Sequence, residues 1–305
     1  MARYIVRRIP QLVLILLGAS LLVFVLIHIT GDPVRALVAS DATEEDMARM
    51  RTAYGLDQPL PVQYIVFLRE AATGNLGQSF RYRRDALSLV FDRMPATFTL
   101  ALASMMLAVL VSAPLAIVAS SRPGGMVDAI ISFLSSMWIA VPSFWLGLIM
   151  ILIFSDNLHW LPSSGRSGWE NMVMPTVTMS AYSIGLMIRL LRASLLDELN
   201  QLYVTVARGK GLGEPVVHYR HALRNALIPA VTVIGLQFGQ FIGGSMVIET
   251  VFAWPCVGWL MIQAIYSRDM PLVRAVVLVM AVSFVVINLV VDVAYAYLDP
   301  RIRQE

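Results

Sequence analysis

Apolar residues gather into six long stretches along the chain, separated by polar segments of very unequal length. The stretches run approximately from Ile9 to Ile29, Ala96 to Ala119, Val127 to Phe154, Met172 to Leu191, Leu227 to Ile248 and Ala275 to Tyr297. Each reaches or exceeds the roughly 20 residues that a helix needs to cross a hydrocarbon core of about 30 Å. The pattern predicts an all-α membrane protein of six transmembrane helices. An even number of crossings puts both termini on the same side.

Two polar segments are longer than a reversal of direction requires. In the first, residues 30–95, Thr43-Glu44-Glu45-Asp46 predicts a cap and acidic first turn of a helix that runs to about Tyr54 and stops at Gly55. A second helix is expected from Val62 to Ala72. Together they predict a small cap of short helices, too small to hold a core of its own.

The second polar segment covers residues 193–228. Apolar residues at 195, 199, 202, 203 and 206 predict an amphipathic helix, which Gly209, Gly211 and Gly213 then break. Glu214-Pro215 restarts a helix, since proline and an acid both suit a first turn. In this helix Val216, Tyr219, Leu223 and Ala226 share one side, with Glu214, His218, His221 and Asn225 on another, and Pro229 marks entry into the fifth stretch. Two amphipathic helices joined at a glycine corner suit either docking of a soluble partner or a hairpin lying flat on lipid. No Trp or Phe anchors the segment, which favours docking.

Composition closes off the soluble classes. Hydrophobic residues make up 58% of the 305 positions and charged residues 14%, against about 25% charged in a soluble domain. The net charge of +3 reflects topology and not nucleic-acid binding, because the basic residues cluster beside the ends of the apolar stretches. Arg3, Arg7, Arg8, Arg122, Arg189, Arg192, Arg208, Lys210, Arg220, Arg224, Arg301 and Arg303 would lie inside, whereas the short outer loops hold only Arg166, Arg268 and Arg274. The arginines between Arg35 and Arg93 fall in an outer segment too long for the charge rule. Both termini are therefore expected in the cytoplasm. The first apolar run exceeds the 7 to 15 residues of a signal-peptide core, so it is expected to remain as an anchor.

Candidate chemistry is sparse. The single Cys256 excludes an intramolecular disulfide, and His218 and His221 have no recognisable third metal ligand. Pro142 and Pro175 predict kinks, which serve either packing or the opening of a path. Gly235, Gly239 and Gly243 form a stripe for close helix packing. Gln237 and Gln240 need partners in hydrocarbon, so they face either protein or a watery path. In the sixth stretch Asn288 and Asp292 share a face near Tyr295; Asp292 either lines the path or pairs with a basic residue at the inner end.

Taken in order, several motifs resemble one family. Thr205-Val206-Ala207-Arg208-Gly209-Lys210-Gly211-Leu212 is similar to the EAA loop of permease subunits of ABC importers, in the form seen in the dipeptide/oligopeptide permeases of the DppB/OppB type. The resemblance continues through Tyr4-Ile5-Val6-Arg7-Arg8, Gly31-Asp32-Pro33, Trp160-Leu161-Pro162, His221 to Pro229, Glu249-Thr250-Val251-Phe252, Arg268-Asp269 and Leu298-Asp299-Pro300-Arg301-Ile302-Arg303. Departures are Thr205-Val206-Ala207 where the general pattern has Glu-Ala-Ala, Arg224 at the place of its proline, Gly209 for alanine and Cys256 for glycine.

The resemblance implies a type I ABC importer permease fold in a bacterial inner membrane, as a single permease domain over 1–305 with an extracytoplasmic insert at 30–95 and a cytoplasmic coupling loop at 193–228. It implies a second homologous permease subunit, two ATP-binding subunits and an extracytoplasmic substrate-binding protein as partners, with the lipid bilayer around them. ATP and Mg would sit on the ATPase subunits, with no cofactor in this chain. Thr205, Ala207, Arg208, Lys210, Gly211, Leu212, Glu214 and His218 would couple to the ATPase, and Gln237, Gln240, Asn288 and Asp292 are candidates for the path. No GxxxxGK[ST] pattern occurs, in keeping with a chain that does not bind ATP. A self-sufficient carrier or channel is the competing reading, and a membrane enzyme lacks any convincing catalytic arrangement.

Overall fold

A computed structural model describes residues 2–30, 43–53, 57–244 and 246–298. Helices α1 (Ala2–Thr30), α2 (Glu44–Ala53), α3 (Leu60–Thr73), α4 (Ala86–Ser121), α5 (Met126–Ala140), α6 (Ser143–Met150), α7 (Glu170–Leu199), α8 (Leu202–Gly209), α9 (Glu214–Val216), α10 (Leu223–Gly244), α11 (Met246–Val251), α12 (Val257–Tyr266) and α13 (Met270–Leu298) follow one another with no strand among the described residues. The motifs at 31–33 and 299–303, Gly55 and the side chains of Asp292 and Tyr295 lie outside what is described.

The fold is an all-α membrane protein. Among the described residues four helices are long and apolar enough to cross a bilayer, namely Ala86–Ser121, Glu170–Leu199, Glu214–Gly243 and Met270–Val291, and the bent pair Met126–Ala140 with Ser143–Asn157 makes a fifth if it counts as one span. Their outer faces carry bare apolar side chains such as Leu102, Met106 and Leu110. Such surface is ordinary against lipid and costly against water. The first expected stretch lies within α1.

The third expected stretch is not a kinked helix but two helices, α5 and α6, bent by 99°. Pro142 has no N–H to give, and its ring drives the preceding Val141 into extended geometry at φ −76° and ψ 122°. The helical hydrogen-bond ladder therefore ends at Ala140 and restarts at Ser143. Pro175, by contrast, is accommodated inside α7.

The chain packs as two compact units, Met1–Thr97 with Pro255–Val286 and Phe98–Trp254 with Ile287–Glu305. In the first, Phe67 of α3 and Ala86, Leu89 and Val90 of α4 share a core with Leu260 and Ala264 of α12 and Leu272 and Val276 of α13. The described part of the segment after α1 thus shares its core with residues nearly two hundred positions later. Asp269 joins these distant pieces. Its carboxylate, fully buried, accepts from the Ser79 hydroxyl at 2.5 Å, from the Arg81 amide at 3.2 Å and from the Leu272 amide at 3.3 Å, capping α13. α12 is an apolar helix absent from the expected elements.

In the second unit α7 is the axis, packed against α5, α6 and α10. Gly185 makes this possible, since a Cβ there would overlap the Ser135 carbonyl oxygen and the Ile139 side chain of α5. Gly235 similarly admits Val291. At the start of α5 the Asp128 carboxylate accepts two hydrogen bonds from Arg192 of α7, and a third from the Gly124 amide at 2.8 Å.

Candidate functional site

The polar segment at 193–228 is mostly continuous helix. α7 runs on to Leu199 without a break, so Leu195 and Leu199 belong to the end of a long helix and not to a separate amphipathic one. Extended geometry at Gln201, φ −72° and ψ 150°, then turns the chain into the eight-residue α8. The turn resets the helical phase. Leu202, Tyr203 and Val206, expected on one stripe with Leu195 and Leu199, are exposed, and Val204 and Ala207 are buried with those leucines instead.

A second phase shift follows the corner. Between α9 and α10 the residues Val217–Ala222 form a π-helical turn, whose longer repeat aligns Val217 with Ala222. Both are fully buried with Ala226 and Ala230, whereas Val216 and Tyr219, expected on that side, are exposed. The buried residues of α8 and of this turn meet Leu191, Leu195 and Leu199 in one cluster.

The corner itself is built from backbone geometry. Lys210 ends α8, Gly211 takes φ +80°, and the Leu212 amide reaches back to the Ala207 carbonyl at 3.3 Å. This is a left-handed cap that an L side chain resists by roughly 1–2 kcal/mol. Glycine at 211 is therefore favoured by the chain's own turn. Nothing lies within 4 Å of a Cβ built on Gly209 or Gly211, so the tip is open.

Polar contacts brace the corner on both sides. Arg208 Nε and Nη2 donate to the two Glu214 oxygens at 2.8 and 3.2 Å, a two-pronged clasp from the end of α8 to the start of α9. The hydrogen bonds to Glu214 hold the Arg208 guanidinium above its ordinary pKa. Glu214 also lies 3.5 Å from His218 Nε2, one turn on. Tyr203 donates to Glu198 at 2.5 Å and accepts from Asn225 at 3.1 Å, tying α8 to α7 and α10. Burial, and then the Glu198 hydrogen bond, raise the Tyr203 phenol above its usual value.

The expected coupling residues thus separate into two groups. Thr205, Lys210, Gly211 and Leu212 are exposed around the corner. Ala207 is a core residue, Arg208 and Glu214 hold each other, and His218 is mostly covered, with its Nδ1 unpartnered among the described residues. Leu202, 83% exposed, and Tyr219, 60% exposed, join the outer face, so Tyr219 parts from Ala226, with which periodicity had grouped it.

The expected path residues do not converge. Gln237 is buried and donates to Ser183 Oγ at 2.9 Å, so it bonds α10 to α7. Gln240 is exposed and Asn288 half-buried. The glycine stripe also divides: Gly235 packs on Val291, Gly239 is buried, and a Cβ on Gly243 would meet nothing within 4 Å, so at Gly243 the expected close packing is absent among the described residues. The Asp128–Arg192 pair was not foreseen, because neither residue has a partner near it in sequence.

Comparison with known proteins agrees with this geometry. Residues 112–304 match the family described as binding-protein-dependent transport system inner membrane component, and residues 1–101 match its N-terminal companion. The chain is 38% identical to the glutathione transport system permease protein GsiC of Salmonella choleraesuis, over 99% of both chains. It is 37% identical to GsiC of Escherichia coli K12 over the same shares. Among solved structures, an inward-facing MetNI methionine ABC transporter chain superposes with a TM-score of 0.60 at 16% identity, covering 69% of this chain and 96% of that one. An amino acid ABC transporter crystallised with histidines gives 0.56 at 12% identity, covering 69% and 94%. At such identities the superpositions show the fold. The full-length relatives and the family match show more: the chain belongs to the binding-protein-dependent transport system inner membrane components of the DppB/OppB type and is a multi-pass inner-membrane permease subunit of an ABC importer, without an ATP-binding motif of its own.

Proposed function

We propose that the corner at residues 202–219 is the surface on which an ATP-binding subunit of the importer docks, and that its movement reorients the spans. What supports this is the division of roles around Gly211. Val204, Ala207 and Val217 root the corner in the α7 core, Arg208 and Glu214 clasp its two arms, and Leu202, Thr205, Val206, Lys210, Leu212, Val216 and Tyr219 point away from the chain. A rigid base under an exposed, largely apolar face suits transmission of a push better than a flexible loop would.

In the complete importer this chain is one half of the path, paired with a second homologous permease subunit, two ATP-binding subunits that carry ATP and Mg, and an extracytoplasmic binding protein. Both termini and the 193–228 segment lie in the cytoplasm, and the 30–95 insert lies outside, within a single permease domain. The cargo is a small peptide, a class that includes the glutathione named for the relatives. Gln240 and Asn288 are the path candidates whose surroundings still suit that role, and Asp292 stands with them by position on α13.

The test uses the assembled importer with its binding protein in proteoliposomes. Gly211→Glu is expected to abolish uptake and loosen retention of the ATP-binding subunits, while Gly211→Asn, tolerant of left-handed geometry, keeps most of both. Normal uptake by the Glu variant rejects the coupling role, and flux through the chain without ATP-binding subunits rejects the importer mechanism.

A further inference from the structure

Outside the corner, the first compact unit brings two exposed arginines, Arg83 and Arg268, onto one pair of tied loops. Phe80-Arg81-Tyr82-Arg83-Arg84 forms a tight loop closed by a bridge between Gln78 and Asp85. Asp269 fastens this loop to the turn after α12, where Ile265, Tyr266 and Arg268 are exposed, Tyr266 at 84%. Arg81 adds a second tie by donating to Gln263 at 2.9 Å. Two loops far apart in sequence therefore form one braced surface.

Two residues in it adopt left-handed backbone geometry without being glycine, Arg83 at φ 51° and Arg268 at φ 52°. Such conformations are unfavourable for a residue with a side chain and persist only where the surroundings enforce them. Here the enforcement is visible: the Arg83 amide donates to Ser79 and the Arg268 amide to Ile265, at 2.9 and 3.0 Å, and the Asp269 amide donates to Ala264 at 2.9 Å. Neither Arg83 nor Arg268 enters an ion pair among the described residues, whereas nearby Arg84 is neutralised by Asp92 at 3.0 Å.

The geometry points to a docking surface for an acidic face of the substrate-binding protein, with Arg83 and Arg268 as its charged contacts and Tyr266 as its aromatic one. Arginine and tyrosine are the residues that most often carry the energy of protein interfaces. Anionic lipid headgroups would also attract arginine, but a fluid surface does not require two loops held in fixed and unfavourable geometry by a buried carboxylate. A folded partner with fixed acidic groups does benefit from that preorganisation. The inference deepens the reading above, since it rests on the insert being outside the membrane and names the partner it meets there.

The experiment titrates the binding protein onto the assembled importer in nanodiscs of neutral lipid, at several salt concentrations. Arg83→Glu with Arg268→Glu is expected to weaken association by roughly tenfold and to flatten its salt dependence, because charges at an interface rim act mainly on encounter. Basal ATP hydrolysis by the importer without binding protein is expected to stay unchanged, which reports an intact assembly. Unchanged affinity in that variant overturns the proposal, as does a loss seen only with anionic lipid present. Sidedness is read separately by labelling Arg83→Cys in whole cells with a membrane-impermeant maleimide, Cys256 being buried. Labelling without permeabilisation upholds the outer position; labelling only after it overturns the orientation, independently of the charge experiment.

Discussion

Arg192 near the end of α7 grips Asp128 in the first turn of α5 with two hydrogen bonds, Nε to Oδ1 at 2.5 Å and Nη2 to Oδ2 at 2.7 Å. The two residues are 64 positions apart, and the carboxylate is almost wholly covered. This clasp lies at the end of α7 that leads into the corner around Gly211. It fixes α5 to the helix from which the corner hangs.

Breaking one side of that clasp leaves a covered charge without its counterpart. Arg192→Leu is expected to lower stability by roughly 3 kcal/mol, and Asp128→Asn by a similar amount. The double variant should lose clearly less than the sum of the two, since no charge is then stranded. Thermal unfolding of the detergent-solubilised importer, followed for all three variants, measures the shortfall; strictly additive losses would show that the pair does not act as a unit.

Gly185 sets how closely α5 and α7 approach. Gly185→Ala places a methyl group into the Ser135 carbonyl, which belongs to backbone and has little room to withdraw. The expected cost is about 1–3 kcal/mol, typical of overpacking. Gly243→Ala, with open space around it, is the matched control and should change stability by far less. Expression and melting temperature of the two variants, compared side by side, decide the point.

Gln237 is placed to hold helices together. Replacing it with Met is expected to destabilise modestly, by about 1 kcal/mol, in line with interhelical hydrogen bonds in membranes. Uptake normalised to the amount of assembled importer should be unchanged. A change in which peptides are taken up would return Gln237 to the path.

The sequence made the helices legible because apolar length and turn chemistry act locally. α2 follows from Thr43-Glu44-Glu45-Asp46, and the break after α8 follows from Gly209, Gly211 and Gly213. What escaped depends on phase and on distant partners. Periodicity carried through Asn200 and Gln201 put Leu202 and Val206 in one stripe with Leu195 and Leu199, since nothing in a hydrophobic stripe announces that the chain turns at Gln201. The π turn at Val217–Ala222 misled the same logic, which assumes 3.6 residues per repeat. Pro142 was read as a bend, but the fact that it ends one helix and starts another depends on the extended Val141 before it. Asp269 and Asp128 were invisible as organisers because their partners, Ser79 and Arg192, lie far off along the chain.

The uninterrupted course of α7 bears on how ATP hydrolysis reaches the bilayer interior. Thirty residues at 1.5 Å per residue make a rod of about 45 Å, with no break between the turn at Gln201 and the crossing at Gly185. A stiff rod stores little deformation. On the proposed docking at the corner, displacement of the Leu199 end emerges as tilt or rotation of the whole helix with scarcely any slack, and the timing of transport follows the stroke of the docked subunit and not a spring within α7.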